Sequence, residues 1–253
     1  MIEIMELGVI QLGFFASLVA GLATGIGALP VLLFKSISHR VLDMMLGFGA
    51  GIMLAATAFS LLVPAIEIGG IWIAIIGFII GGLFVYFLDK YVPHEHLIKG
   101  HEGPSSSLSR VSLLILAITI HNFPEGLAVG VSFGGGDVTS GIVIATAIGL
   151  QNIPEGSAVA FPLIREGFRK RKAIWYATLT GLVEPIGGFI GISILAIARP
   201  LLPAGLAFAA GAMAFVVSHE MIPESHRKGH EIEATLGFII GFAVMMFLDN
   251  IFG

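Results

Sequence analysis

Long apolar runs without charge punctuate the chain at 8–34, 44–66, 68–88 and 200–218, and a shorter one covers 234–248 ahead of Asp249. A hydrocarbon core about 30 Å thick needs roughly 20 apolar residues of helix, so these read as membrane spans. Three more apolar stretches each hold an acid near the middle: 109–132 with Glu125, 139–164 with Glu155, and 172–197 with Glu184. The pattern predicts eight transmembrane helices. The segments are too long for barrel strands and lack two-residue alternation. The first is too long, and its start too acidic at Glu3 and Glu6, for a cleaved leader.

Composition agrees. Hydrophobic residues make up 56% of the 253 and charged residues 12%, too few to cover a soluble globule, since an average soluble domain carries about 25%. Soluble enzymes, nucleic-acid binders and disordered chains drop out, and a net charge of -4 points to no polyanionic partner. With no cysteine there are no disulfides, thiolate metal sites or cysteine nucleophiles. Charge also orients the spans. The connections near 35–42, 89–110, 165–172 and 219–233 hold all of the 13 Lys and Arg except Arg199. By the positive-inside rule these connections face the cytoplasm, and both termini lie outside. The expectation is one multi-pass domain over 1–253 in a cell membrane.

The two ends of the chain resemble each other at a spacing of 160. Gly77-Phe78-Ile79-Ile80-Gly81 returns as Gly237-Phe238-Ile239-Ile240-Gly241, and Phe87-Leu88-Asp89 as Phe247-Leu248-Asp249. Phe48, Ala50, Gly51 and Met53 return as Phe208, Ala210, Gly211 and Met213, and Gly21-Leu22 as Gly181-Leu182. Helices 1–3 (about 1–93) thus match 6–8 (about 165–253). Five helices separate the starts of the two units, so the copies must run in opposite directions, as in inverted-repeat transporters. The middle pair, about 109–164, repeats at a spacing of 30: His121-Asn122-Phe123-Pro124-Glu125-Gly126 against Gln151-Asn152-Ile153-Pro154-Glu155-Gly156. The predicted arrangement is 3+2+3.

A carboxylate at bilayer depth is costly unless protonated, paired or metal-bound. His121 and Glu125 are four residues apart and share a helix face, with Asn122 close by, and Gln151, Asn152 and Glu155 copy the arrangement. Glu184 falls near the centre of its own span. Pro124 and Pro154 deprive Ile120 and Leu150 of a hydrogen-bond donor, which predicts kinks that open space and aim carbonyls inward, and Glu184-Pro185 repeats the combination. One imidazole, three carboxylates and three amides form a set suited to divalent Zn, Fe, Mn, Co or Ni. With no Lys or Arg inside the spans, the acids cannot pair off by charge.

HNFPEG followed by QNIPEG resembles the paired motifs of the ZIP (Zrt/Irt-like) divalent-metal transporters, the GufA-type prokaryotic branch above all. The Glu184-Pro185 helix, the PHEH segment at 93–96 and the stretch from Ser218 to His226 fit as well. The resemblance implies eight helices, a binuclear site at the midplane, a homodimer, and movement of Zn or a similar ion into the cytoplasm as substrate, with no catalytic cofactor. It implies that His121, Glu125, Gln151 and Glu155 hold one ion, Met53 adding a thioether. Asn122, Asn152 and Glu184 hold a second, bridged by Glu125 and Glu155. Asn152 stands where members often carry Asp, which weakens the second position. His219 and Glu220 become exit-path ligands, and Ser60 an entrance-path position.

The cytoplasmic loop at 89–110 adds Asp89, His94, Glu95, His96 and His101. Three His in eight residues suit transient metal capture. This loop reads as too long and polar for a hairpin. On the outer side, Glu67 and Asp137 are placed to attract cations. A membrane-embedded metal hydrolase is the competing class, but His219-Glu220 is followed by Pro223 and His226, which does not give an H-E-x-x-H helix. A proton-coupled carrier of an organic solute is the third reading.

Overall fold

The computed structural model describes residues 2–96, 100–226 and 229–252, and only the backbone of residues 2–7 and of His96. Glu3, Glu6, His96, Lys99, Arg227 and Lys228 therefore fall outside the described side chains. The long apolar runs form helices: α1 (Ile2–Ala28), α2 (His39–Gly69), α3 (Ile71–Tyr91), α4 (Arg110–Gly134), α5 (Val138–Arg165), α6 (Lys170–Ile197), α7 (Arg199–Ser225) and α8 (Glu231–Phe252). All but α5 are long and apolar enough to cross a membrane by composition. The 28-residue α5 is diluted by Gln151, Asn152 and Glu155. The chain is an all-helical multi-pass membrane protein in its body. Ser38 and Ser109 fix where α2 and α4 begin, each accepting the backbone N–H three residues on, at Val41 and Ser112.

Three features depart from the expected outline. First, α2 and α7 each contain a π-helical turn, Ala56–Leu62 and Val217–Met221. Proline explains both: Pro64 has no N–H for the carbonyl of Ser60, nor Pro223 for that of His219, and the helix widens by a residue rather than stop. Second, α6 is broken, running Lys170–Gly181 and again Glu184–Ile197. Glu184 thereby opens a new helix, whereas α4 and α5 continue through Pro124 and Pro154. Third, the loop expected to be no hairpin contains one: β1 (His94–His96) pairs antiparallel with β2 (Gly100–Glu102), setting His94 opposite Glu102. Its anchor is side-chain chemistry at His94.

Glycine seams hold the helices together. α2 packs on α8, α3 on α7, α4 on the second half of α6, and α1 on α5. At each crossing a glycine lets backbone meet backbone: a Cβ on Gly51 would overlap the Phe238 carbonyl oxygen, one on Gly211 that of Phe78, one on Gly241 that of Phe48, and one on Gly81 that of Phe208. Without a hydrophobic force between helices in lipid, such close approach is what gains dispersion energy. The crossings come in pairs at the spacing of 160. Gly126 meets Glu184 as Gly156 meets Thr24, adding the spacing of 30. α3 and α8 sit at the periphery, with only 22% and 17% of their apolar windows buried.

The basic connections meet on one face. Arg110 bonds Glu95 at 2.7 Å and Glu166 at 3.1 Å, and Lys170 donates to the Leu32 carbonyl at 2.8 Å. Arg165 reaches the Ile37 carbonyl and the His39 ring, and Arg40 bonds Glu233 at 2.6 Å.

Candidate metal centre

α4 and α5 bring His121, Glu125 and Glu155 together. One ligand atom from each lies within 4.8 Å of the others, and all three side chains are buried. His121 Nε2 stands 3.3 Å from Glu125 Oε1 on the same helix face. Its Nδ1 stands 3.4 Å from Glu220 Oε2, delivered by the π turn of α7. Around them the amides form a chain. Gln151 Nε2 donates to Asn152 Oδ1 at 2.6 Å, and Asn152 Nδ2 donates to Glu184 Oε1 at 2.6 Å and to the Ala20 carbonyl at 2.8 Å. Asn122, Gln151, Asn152 and Glu184 are all fully buried. Met53 is 1% exposed and lies one turn beyond Gly49, where an added Cβ would stand 3.6 Å from Gln151 Oε1.

Many of these atoms lack hydrogen bonds. Both oxygens of Glu125 and of Glu155, both amide atoms of Asn122, Gln151 Oε1, Glu184 Oε2 and His121 Nε2 have no hydrogen-bonding partner. No Lys or Arg is among the buried polar side chains described. Each ionised carboxylate at the centre of a span costs roughly 2.5–3.5 kcal/mol or more. Several acids with oxygens turned toward one another need a shared cation or protons, and they offer a divalent ion an oxygen-rich cage with one imidazole.

A cavity of about 250 Å³ reaches this cluster from the basic face. Its wall includes His121, Glu155 and Glu220 at depth, Asp43 and Glu224 beside them in chain terms on α2 and α7, and Arg110, Arg165 and Glu166 from the connections. Asp43 and Glu224 were not anticipated from the sequence, because a charge near a span end looks like an ordinary headgroup-level residue.

A second group lies under the hairpin. Ligand atoms of Asp89, Glu102 and His219 fall within 4.8 Å of one another, with His219 Nε2 at 3.5 Å from Asp89 and 3.8 Å from Glu102. His94, 1% exposed, adds Nε2 at 2.9 Å from Asp89 and Nδ1 at 2.8 Å from the Val92 carbonyl. Burial pulls this imidazole down, but the Asp89 and Val92 acceptors outweigh it and hold its pKa above the usual histidine value. Both ring nitrogens face acceptors, which only the doubly protonated ring can satisfy. His219 and Glu220, adjacent in sequence, thus serve two different clusters. Glu102 was missed, since only the hairpin register brings it opposite His94. His101 is exposed and meets the Pro104 carbonyl at 3.0 Å, and Glu95 is bound to Arg110.

The proposed outer residues divide. Ser60 donates to Asp249, an acid the pattern left unassigned. Glu67 is exposed. Asp137 caps α5, accepting Thr139 N at 2.9 Å, Ser140 N at 3.3 Å and the Ser140 hydroxyl at 2.7 Å. The Ser140 hydroxyl, more than burial can offset, holds its carboxyl below the ordinary range.

Comparison with known proteins agrees with this geometry. The family model described as ZIP Zinc transporter matches residues 94–249, which include every member of both clusters except Asp89. Zinc transporter GufA of Myxococcus xanthus is 46% identical over 252 residues, covering 95% of this chain and 99% of that protein. Zinc transporter ZIPB of Bordetella bronchiseptica is 45% identical over 244 residues, covering 91% and 78%. Zinc transporter ZIP11 of Homo sapiens is 36% identical, covering 89% and 93%. With buried His and Glu ligands on adjacent spans, and likeness of this extent over nearly its whole length, the chain belongs to the ZIP zinc transporter family.

Proposed function

We propose that this chain carries divalent transition-metal ions, Zn first among them, across a cell membrane into the cytoplasm. The observation that carries the reading is the buried His121–Glu125–Glu155 cluster at the end of a cavity open to the basic face. One ion takes His121, Glu125, Gln151 and Glu155, with the Met53 thioether at its side. A second takes Asn122, Asn152 and Glu184, and Glu125 and Glu155 bridge the two. The pairs of free carboxylate oxygens on Glu125 and Glu155 support bridging, because each can turn one oxygen to either ion. The amide chain through Asn152 to Glu184 gives the second position a neutral ligand where an acid would bind more strongly.

The paired glycine crossings at spacings of 160 and 30 support inverted repeats in a 3+2+3 arrangement. The basic connections, gathered on the cavity side, support a cytoplasmic assignment for that face and an outside location for both termini. On this reading Ser60 with Asp249, Glu67 and Asp137 lie along the entrance. His219, Glu220, Asp89, Glu102, His94, His96 and His101 belong to the exit. The working form is a homodimer.

The test is a proteoliposome loaded with a metal-sensitive dye. External Zn is expected to raise the dye signal for wild type and not for Glu155→Ala. A flat response for wild type, with the protein folded and oriented, overturns the reading. Turnover of a hydrolysable substrate would favour the embedded hydrolase instead, and metal-independent solute uptake the solute carrier.

A further inference from the structure

The cavity wall carries acids that the two-ion site does not use. Asp43, 3% exposed on α2, and Glu224, in the last turn of α7, line it together with Glu220. At the inner end of the same cavity is Glu155, 6% exposed, neither of its carboxylate oxygens hydrogen-bonded. Asp43, Glu155, Glu166, Glu220 and Glu224 face two arginines, Arg110 and Arg165, so the passage favours cations.

The internal repeat supplies an independent argument. At the spacing of 160, Asp43 corresponds to Pro203, Glu220 to Ser60 and Glu224 to Pro64. The register is fixed by the crossings on either side, where Gly237 meets Met44 as Gly77 meets Ala204. The same helical packing therefore forms without a carboxylate at any of the three positions. The fold does not require these acids; the direction of the passage does.

We infer that Asp43 and Glu224, continuing from Glu220, form the release route for a divalent cation leaving the two-ion site. This rests on the transport reading above. Among the described residues, neither acid belongs to a group of three ligands within 4.8 Å, whereas Asp89, Glu102 and His219 form such a group and do not line the cavity. Separate carboxylates bind a passing ion enough to draw it in and too weakly to keep it, as conduction demands. The hairpin group has the geometry of a holding site, and the cavity that of a path.

The chain has no cysteine, so a single thiol reports cleanly. In proteoliposomes, Asp43→Asn and Glu224→Gln are each expected to lower initial Zn uptake about threefold or more, and the pair further, as the local cation attraction falls. Zn bound per chain at equilibrium stays at the wild-type value, and Asp43→Glu restores uptake. A second readout needs no flux: a cysteine at Ala158, on the cavity wall, is modified by a water-soluble thiol reagent, and Zn slows that modification. Asp43→Asn with Glu224→Gln abolishes the slowing. Wild-type uptake in the double variant, or Zn protection that survives it, overturns the proposal. Should wild type bind Zn yet move none, the transport reading falls, and the protection assay still decides whether these acids hold the ion.

Discussion

Gly126 is the position where packing and chemistry are most tightly joined, and Gly126→Ala tests both. Its neighbour Glu125 is a candidate bridging ligand, and its missing side chain admits the backbone of Glu184, a ligand of the second position. An added Cβ would stand 2.5 Å from Glu184 Cα and closer still to its carbonyl oxygen, where ordinary contact begins at 3.4 Å. α4 and α6 must separate by ~1 Å, the difference of those distances. Two effects on stability oppose each other: alanine gains up to about 1 kcal/mol of helix propensity, and overpacking costs about 1–3 kcal/mol. The folded protein should persist with a modest loss. The site is less forgiving, because a misplacement of about 1 Å can cost roughly a hundredfold. Zn content per purified chain at subsaturating metal, with uptake in proteoliposomes, measures the effect. Expected are loss of the second ion and a large drop in uptake. Gly82→Ala is the control, since its Cβ would meet the Gly211 carbonyl oxygen at an ordinary 3.5 Å. Wild-type Zn content and uptake in Gly126→Ala would refute the claim that this crossing sets the ligand geometry.

Other outcomes follow from named residues. Glu184→Ala is expected to remove one ion and leave the other bound with some transport, because its counterpart in the repeat is Thr24; anomalous scattering from Zn-soaked crystals counts the ions. Asp137→Ala should cost about 1 kcal/mol through loss of the α5 cap, read by thermal unfolding in detergent. Because the folded-state pKa of Asp137 is depressed, its contribution is present above the unfolded carboxyl value and fades as pH falls through the folded one, so the gap between wild type and variant narrows in acid. A cysteine at Ser106 should react with impermeant thiol reagents only from the cytoplasmic side; labelling of intact cells from outside would reverse the assigned topology.

The helices were legible because uncharged runs of twenty residues have few other uses, and the central cluster because His121 and Glu125 stand four apart while Glu155 repeats the motif. The break in α6 left a trace in Gly181 and Pro185 on either side of Leu182-Val183, but a proline beside a glutamate reads equally as a kink. Asp43 and Glu224 were illegible for a different reason. Nothing local distinguishes a span-end acid in the headgroup layer from one turned into a cavity; the packing of α2 against α5 and α7 decides it. The hairpin strands are three residues each, too short for alternation to register, and depend on the distant pairing of His94 with Asp89.

The peripheral position of α3 and α8 sets the thickness of membrane into which the protein fits. With 21 and 22 residues, they span about 31–33 Å at 1.5 Å per residue, close to a hydrocarbon slab of about 30 Å. The 31-residue α2 and 28-residue α5 reach about 42–46 Å. The two inner helices must therefore overrun the slab that the outer two define. His39 and Arg165, at the overrunning ends of α2 and α5, are where the cavity opens. Its mouth accordingly stands among headgroups and water, and a departing ion has only about half the hydrocarbon thickness left to cross, all of it inside protein.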